Sequence, residues 1–446
     1  MMRTFAAFRA GIFWLFCVSI LQLQAVAQAS GSGASVSGVW IVTGDVYGTT
    51  TYFRLNLQQK GSAVTGTVGG QKAEGTLSGN ALHLVATANG DTSVIDATLA
   101  DGTLSGTEVQ TDPADKDHPR LAKFIAVPVP SRPSDPPQKH DFTPTVFYRQ
   151  YSPSNAPVLT VNPGDTIHTT TVDAGGVDEQ GVHRVRGGNP ETGPFYIRSA
   201  MPGDTLVVHI LHLRLNRDYA STDDSIVESA VNSSLAVRTR DNNKSIRWRL
   251  DTAKGIATPI DPSPGLARFS IPLHPMLGCI ATAVNPAQAP PNTGDSGPYG
   301  GNMDFNEIAE GSTVYLPVAN PGALLYLGDG HALMGDGEIN GNALETSMDV
   351  EFTVDVIPGK RLGFVRVETP THIIAMGLEG DLDDAMRSAT DNMAQWLASD
   401  YKLNPSEIAQ VIGTAAEYKV SEVADRNSGI VLKLRKDVLE TLRPPK

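Results

Sequence analysis

Hydrophobic and polar positions change rhythm twice along the chain. Between residues 35 and 127 they mark short strands broken by turns. Gly38-Val-Trp-Ile-Val42, Thr51-Tyr-Phe-Arg-Leu-Asn-Leu57 and Ala81-Leu-His-Leu-Val-Ala86 are β-branched or alternate apolar with polar, the two-residue period of a strand. Gly75-Thr-Leu-Ser-Gly79 recurs as Gly102-Thr-Leu-Ser-Gly106, and Thr65-Gly-Thr-Val68 is a looser echo. Each fits a strand of a meander with glycine at the bends. The even spacing predicts a small antiparallel up-and-down barrel or sandwich. Nothing in it has catalytic character.

Pro128-Val-Pro-Ser-Arg-Pro-Ser-Asp-Pro-Pro137 follows, a stiff extended stretch that sets a linker at 128–140. A second domain spans 141–446. Up to about residue 378 it is again strand-like. Val158–Val161, Asn162-Pro-Gly-Asp165 and Thr166–Val172 read as strand, turn, strand, as do Met201-Pro-Gly-Asp204 and Thr205–Leu211. This is the chemistry of β-hairpins. The period then becomes helical. Leu382, Ala385, Met386, Ala389, Met393, Trp396 and Leu397 recur at 3.6-residue spacing behind an acidic first turn. Asn404-Pro-Ser-Glu407 starts a further helix, and Ile430–Leu434 reads as a last strand. The fold class is mainly β, a β-rich α+β protein with peripheral C-terminal helices.

Charge narrows the partners. Thirty-five Lys and Arg against 48 Asp and Glu leave −13 over 446 residues, which argues against nucleic acid. The first residues carry an address. Arg3 and Arg9 precede the apolar run Ala10–Leu21, and Ala25-Val-Ala27 offers a small-residue cleavage site. Residues 1–27 are therefore expected to be a signal peptide, with the mature protein exported to the periplasm or beyond and not stably inserted in a membrane. Cleavage removes Cys17 and leaves Cys279 as the sole cysteine, so no internal disulfide forms.

The candidate chemistry is concentrated late. Asn302, Asp304, Asp329, His331, Asp336 and Glu338 fall among dense glycines, in Gly300-Gly-Asn-Met-Asp304 and Leu327-Gly-Asp-Gly-His-Ala-Leu-Met-Gly-Asp-Gly-Glu338, and Glu345 follows. Carboxylates and imidazole serve a metal or a general base, and apolar flanks place them on a loop between buried strands. Asp336, Glu338, Asn340 and Gly341 imitate the start of an EF-hand, but Ser347 stands where the bidentate Glu is required. His274, between Leu273 and Pro275, has a constrained backbone suited to a ligand or base. Cys279 lies in an apolar stretch unsuited to a thiolate. There is no Gly-x-Ser-x-Gly, P-loop or dinucleotide fingerprint.

In chain order, Asn189-Pro-Glu-Thr-Gly-Pro-Phe-Tyr196, Pro202-Gly-Asp204, Gly300–Asp304, Pro321-Gly-Ala323, Gly328-Asp-Gly-His331, Gly335-Asp-Gly-Glu338 and Glu345-Thr346 resemble the acetamidase/formamidase family. Ala415–Val423 resembles that family's C-terminal segment. The resemblance covers about residues 145–440. It implies a β-rich fold, hydrolysis of short linear amides to carboxylate and ammonia, homo-oligomers, and in some members a zinc or calcium ion. The 35–127 domain and the export signal are not typical of the family. Ala283-Val-Asn285 stands where the family usually has an Ala-Pro turn.

On this basis Asp304 and His331 are expected to hold a divalent metal or the substrate. Glu338 is the expected base and proton shuttle, with His274 and Glu345 as further catalytic candidates. Asn302, Gly330 and Asp173 are expected at the substrate. The metal is zinc if His331 and His274 both bind, and calcium if only oxygens do. The alternative is a non-catalytic binding or surface protein on an amidase scaffold.

Overall fold

The computed structural model describes residues 35–239 and 244–442. The expected signal segment at 1–27 lies outside the described residues. Eight antiparallel strands, the first Gly38–Val46 and the last Asp115–Pro128, close into a barrel, Gly44 of the first pairing with Phe124 of the last. The interior is filled by Val42, Leu55, Leu84, Ile95 and Leu104, all fully buried. The alternation read from the sequence is the inside–outside alternation of a small barrel.

The glycine repeat is not one structural unit. Gly75 lies mid-strand in Gln71–Ser78 and Gly79 in the turn after it. In the second copy Gly102 is the turn and Gly106 lies mid-strand in Thr103–Asp112.

The Pro-rich stretch runs as an anchored strap. Arg132 pairs with Asp355 at 2.6 Å, the Gln138 amide donates to Asp165 at 2.8 Å, and Lys139–Phe142 joins the body as a parallel strand beside Thr166–Thr170. The barrel also touches the body directly: Arg54 Nη2 lies 2.6 Å from Asp204 Oδ1.

Among the described residues the body is a sandwich of a nine-stranded and a twelve-stranded sheet. Phe195, Ile197, Leu277, Ile280, Leu325 and Leu327 from one meet Leu206, Val208, Ile210, Val350, Phe352 and Val354 from the other. Met348–Ile357 alternates buried with half-buried along its whole length, whereas Met276–Thr282 and Leu325–His331 are buried on both faces. Those two strands, neighbours in the twelve-stranded sheet, lead to the site.

The Pro-Gly-Asp turns are not hairpins. Leu159–Val161 pairs in parallel with Glu191–Ile197, while Thr166–Thr170 pairs with Met348–Ile357 in the other sheet. Met201–Asp204 likewise carries the chain from Glu191–Ile197 in one sheet to Thr205–Leu215 in the other. Both are corners between layers. Each is closed by its aspartate: Asp165 accepts from Asn162 N at 2.9 Å, and Asp204 from Met201 N at 2.8 Å. Gly164 and Gly203 supply φ values of 98° and 87°.

The helix Leu382–Asp400 covers the nine-stranded sheet. Ala385, Ala389, Met393, Trp396 and Leu397 are buried, but Leu382 and Met386 of the expected stripe are 39% and 48% exposed. Gly377 permits the contact, since a Cβ there would lie 2.0 Å from Ala385 O. Asn404 and Glu407 form the expected capping box of Pro405–Ala415. No helix among the described residues is long and apolar enough to cross a membrane.

Candidate functional site

Met276–Thr282 pairs with Gly300–Asn302 on one side and with Leu325–His331 on the other. The second pairing keeps one register, matching Leu277 with Gly330 and Cys279 with Gly328, so Gly278 and Asp329 stand opposite each other. Asp329 turns its carboxylate over the place that a Gly278 Cβ would fill. Asp329 has φ 53°, and two other acids of the cluster share the left-handed region, Asp304 at 39° and Glu338 at 46°. Such backbone is strained for residues with a Cβ and gathers at functional sites. Gly278 makes the convergence possible. A Cβ there would stand 2.4 Å from Asp329 Oδ2 and 2.5 Å from Asp304 Oδ1. A Cβ on Gly328 would stand 2.6 Å from Glu191 Oε2.

His331 is the centre. Its Nε2 is 3.2 Å from Glu345 Oε1, 3.4 Å from Asp329 Oδ2 and 3.8 Å from Asp304 Oδ1. His331 and Asp304 are wholly buried, Asp329 3% and Glu345 6% exposed. Donor atoms of Asp304, His331 and Glu338 lie within 4.8 Å of one another, as do those of Asp329, His331 and Glu345, and of Asp304, Glu422 and Asp425. Asp329 and His331 are in the strand rather than on the loop expected for them. Their spacing of two puts both side chains on one face, and Gly330 between them faces Met348.

The remaining expected residues divide. Asn302 belongs to the cluster: its Oδ1 accepts from Asn189 Nδ2 at 2.9 Å and from Cys279 Sγ at 2.8 Å, and its Nδ2 donates to Asp425. Asp173 lies one layer out. It takes a 2.6 Å hydrogen bond from Arg217 Nη2, which also donates to the Glu345 carbonyl at 3.2 Å, so Asp173 acts on the site through that arginine. The structure does not bring His274 to the cluster. Its side chain is exposed, and its backbone amide is tied to Ala332 O at 3.0 Å. Gly330 packs and does not face the cluster.

Four contributors are new. Glu191 approaches through Gly328. Asn189 reaches both Asn302 and Asp329, the latter at 3.3 Å. Glu422 and Asp425 come from the end of the Glu417–Glu422 strand and the turn after it. Glu191 is legible in hindsight as a lone acid at the start of a buried strand, Glu191–Ile197.

Seven carboxyls and one imidazole thus share the site, and among the described residues no Lys or Arg pairs with any of the seven. Burial, then repulsion from Glu338 and Asp329, pushes Asp304 well up, and burial with Asp329 does the same to Glu191. Burial lifts Glu338 to about 8, Glu345 to about 7 and Glu422 to about 9. Burial alone would pull His331 down, but Glu345 and Asp329 hold it well above its ordinary value. Burial, then Glu191, Asp329 and Asp304, pushes the Cys279 thiol well up. Both oxygens of Glu191 and of Asp304, Asp329 Oδ1, Glu345 Oε2 and Glu422 Oε2 are buried without a hydrogen-bond donor. Buried charge without a partner is expensive. An oxygen-rich set with one imidazole is what a divalent cation requires, so the residues present fit such an ion.

Comparison with known proteins agrees with this geometry. The model of the Acetamidase/Formamidase family matches residues 287–375, which include Asn302, Asp304, Asp329, His331, Glu338 and Glu345. A solved acetamidase of Bacillus halodurans superposes with a TM-score of 0.58 at 28% identity, over 68% of this chain and 99% of that one. The acetamidase of Yersinia enterocolitica gives 0.60 at 26% identity, over 69% and 94%. An acetamidase of Mycolicibacterium smegmatis is 43% identical over 61 residues, 14% of this chain and 15% of that enzyme. The matched sequence thus spans about a seventh of that curated relative, while the fold covers the solved structures almost whole. Over residues 287–375 the chain resembles the acetamidase/formamidase family in sequence, and over about two thirds of its length it resembles solved acetamidases in fold, with an eight-stranded β-barrel at its N-terminal end.

Proposed function

We propose that the protein is an exported amidase that hydrolyses short linear amides to carboxylate and ammonia by metal-assisted attack of water. The observation that carries the reading is the convergence of His331, Asp304, Asp329, Glu338 and Glu345 in one buried site, where both oxygens of Asp304 and one each of Asp329 and Glu345 lack donors. The names of the relatives, acetamidases in each case, supply the substrate class.

Asp304 and His331 are the proposed metal holders, with Asp329 and Glu345 against the same Nε2 of the imidazole. A divalent ion bound there supplies Lewis acidity toward the amide carbonyl and a lowered pKa for water. The chain's own residues do the rest. Glu338 lies within 4.8 Å of the donor atoms of Asp304 and His331, close enough to take a proton through one water. Burial lifts it to about 8, so it holds that proton near neutrality and returns it to the departing nitrogen. The Ala343 amide fixes Glu338 Oε1 at 2.9 Å. Asn302, braced by Asn189 and Asp425, presents a carboxamide suited to orienting a substrate amide.

The deciding experiment is ammonia release from a panel of amides, including formamide and acetamide, before and after chelation and after return of zinc or calcium. Release that is lost on chelation and restored by one of these ions supports the proposal. No release from any amide leaves the binding-protein reading. Release indifferent to chelation removes the metal. Export is tested by N-terminal sequencing of the mature protein, expected to begin after Ala27.

A further inference from the structure

Between the barrel and the body lies a groove of about 1060 Å³. It is separate in chemistry from the acidic cluster. Tyr52 and Arg54, two residues apart on one strand, line it from the barrel. Tyr299, Asn285 and Arg361 line it from the body.

The groove's charges are unbalanced. Its acid, Asp204, is only 1% exposed and already satisfied by Arg54 at 2.6 Å and by the Met201 and Gly359 amides at 2.8 and 2.6 Å. Arg54 is used up in that contact and donates its Nε to Pro202 O at 2.8 Å. Arg361 is exposed and makes no ion pair or hydrogen bond with any described residue. A planar, always-charged donor array of this kind matches a carboxylate in two-pronged geometry. In a chain of net charge −13 it leaves one positive spot in a groove with no free acid.

The aromatic wall is rigid. A Cβ on Gly297 would stand 2.9 Å from Tyr299 Cε1, and one on Gly301 3.0 Å from Cε2, so two glycines hold the ring edge-on. Tyr151 packs on it with centroids 5.5 Å apart. A ring fixed in this way binds another flat apolar group at little entropic cost.

We propose that the groove between barrel and body is a second binding site, taking an organic carboxylate with an aromatic body, its carboxylate on Arg361 and its ring between Tyr52 and Tyr299. The site is independent of the amidase reading. It makes the barrel a recognition wall and not only a folding module.

Calorimetric titration of the full chain with phenylacetate and with phenylacetamide tests this, using the Glu338→Gln variant so that neither probe is turned over. Phenylacetate is expected to saturate one site at least about tenfold more tightly than its neutral isostere. Arg361→Ala should abolish that preference, and Arg361→Lys should retain part of it. Tyr52→Ala should weaken both probes about equally, by roughly threefold or more. Equal affinity for the two probes overturns the proposal, as does absence of saturation or a preference that survives Arg361→Ala. Loss of phenylacetate binding on addition of a divalent ion, with Arg361→Ala unchanged, would place the ligand in the acidic cluster and overturn it also. A chain inactive toward amides leaves the test intact, because it reads binding.

Discussion

Gly75 and Gly106 of the barrel and Gly278 of the body all stand mid-strand, and all would place a Cβ where no atom fits. What they would strike differs. In the barrel the obstacle is neighbouring backbone, His83 O at 1.9 Å and Asp96 O at 2.0 Å. There glycine lets strands coil tightly enough to close a small cylinder. At Gly278 the obstacle is two carboxylates, Asp329 and Asp304, at 2.4 and 2.5 Å. There glycine makes room for function. The polar interiors differ in the same way. The barrel buries Ser93 and Glu108 side by side, joined at 2.5 Å. The body buries six carboxyls round one histidine, with Asp425 at the exposed edge, and leaves seven of the buried oxygens without donors. One region is built to be satisfied by itself, and the other is completed by what it binds.

Substitutions in the two regions test that contrast. The largest effect is expected at Glu338. Glu338→Gln keeps shape and removes the base, so ammonia release from the preferred amide should fall by about two to four orders of magnitude, with the thermal midpoint little changed. Near-normal turnover in that folded variant removes Glu338 from the chemistry. Next is Gly278→Ala, which must displace Asp329 or Asp304; shifts of about 1 Å in a catalytic group lower rates by about a hundredfold. Assays of kcat should show that loss while urea unfolding stays cooperative. Gly75→Ala is the mirror experiment. It should lower stability by about 1–3 kcal/mol, as overpacking does, with turnover per folded molecule unchanged. A loss of activity without a loss of stability would mean that the barrel shares in the chemistry.

Cys279→Ala separates the metal reading from a thiol mechanism. Burial and three acids hold this thiol well above its ordinary value, the opposite of what a nucleophile needs. The variant should lose about 1–2 kcal/mol of stability through packing and keep its activity. A folded but dead variant, unresponsive to chelator, would make the enzyme a thiol amidase.

The smallest expected effect lies away from both regions. Asp349, at 2.9 Å, and Asp141, also at 2.9 Å, raise the pKa of His168. A raised folded-state pKa stabilises below the unfolded value of about 6.5 and loses that stabilisation as pH rises through the folded one. The side chain is 35% exposed, so the effect is a few tenths of a kcal/mol at most. Urea midpoints from pH 6 upward should decline slightly more in the native chain than in His168→Gln, and identical slopes would remove the contribution.

Much of this protein is local, and local features were legible. Alternation specified the barrel strands because one face of each is wet and the other dry. Asn404 and Glu407 form their capping box within four residues, and the Pro-Gly-Asp turns close on their own aspartates. Of the site, Asp304, His331, Glu338, Glu345 and Asn302 could be named because they crowd into one glycine-rich stretch.

The rest depended on distance along the chain. A turn does not say whether its two strands pair with each other, so Asn162–Asp165 and Met201–Asp204 read as hairpins and are corners between sheets. His274 has a stiff backbone, and the bond it makes across the fold, from its amide to Ala332 O, leaves its side chain exposed and away from the cluster. Glu191, Glu422 and Asp425 come from segments more than a hundred residues before the cluster's centre or some ninety after it. Strands, caps and turn chemistry rest on period, φ and neighbours a few residues away, and so are written in the sequence. Only the tertiary structure decided which carboxylates meet, because the field that perturbs each one is made by burial and by charges supplied from other strands.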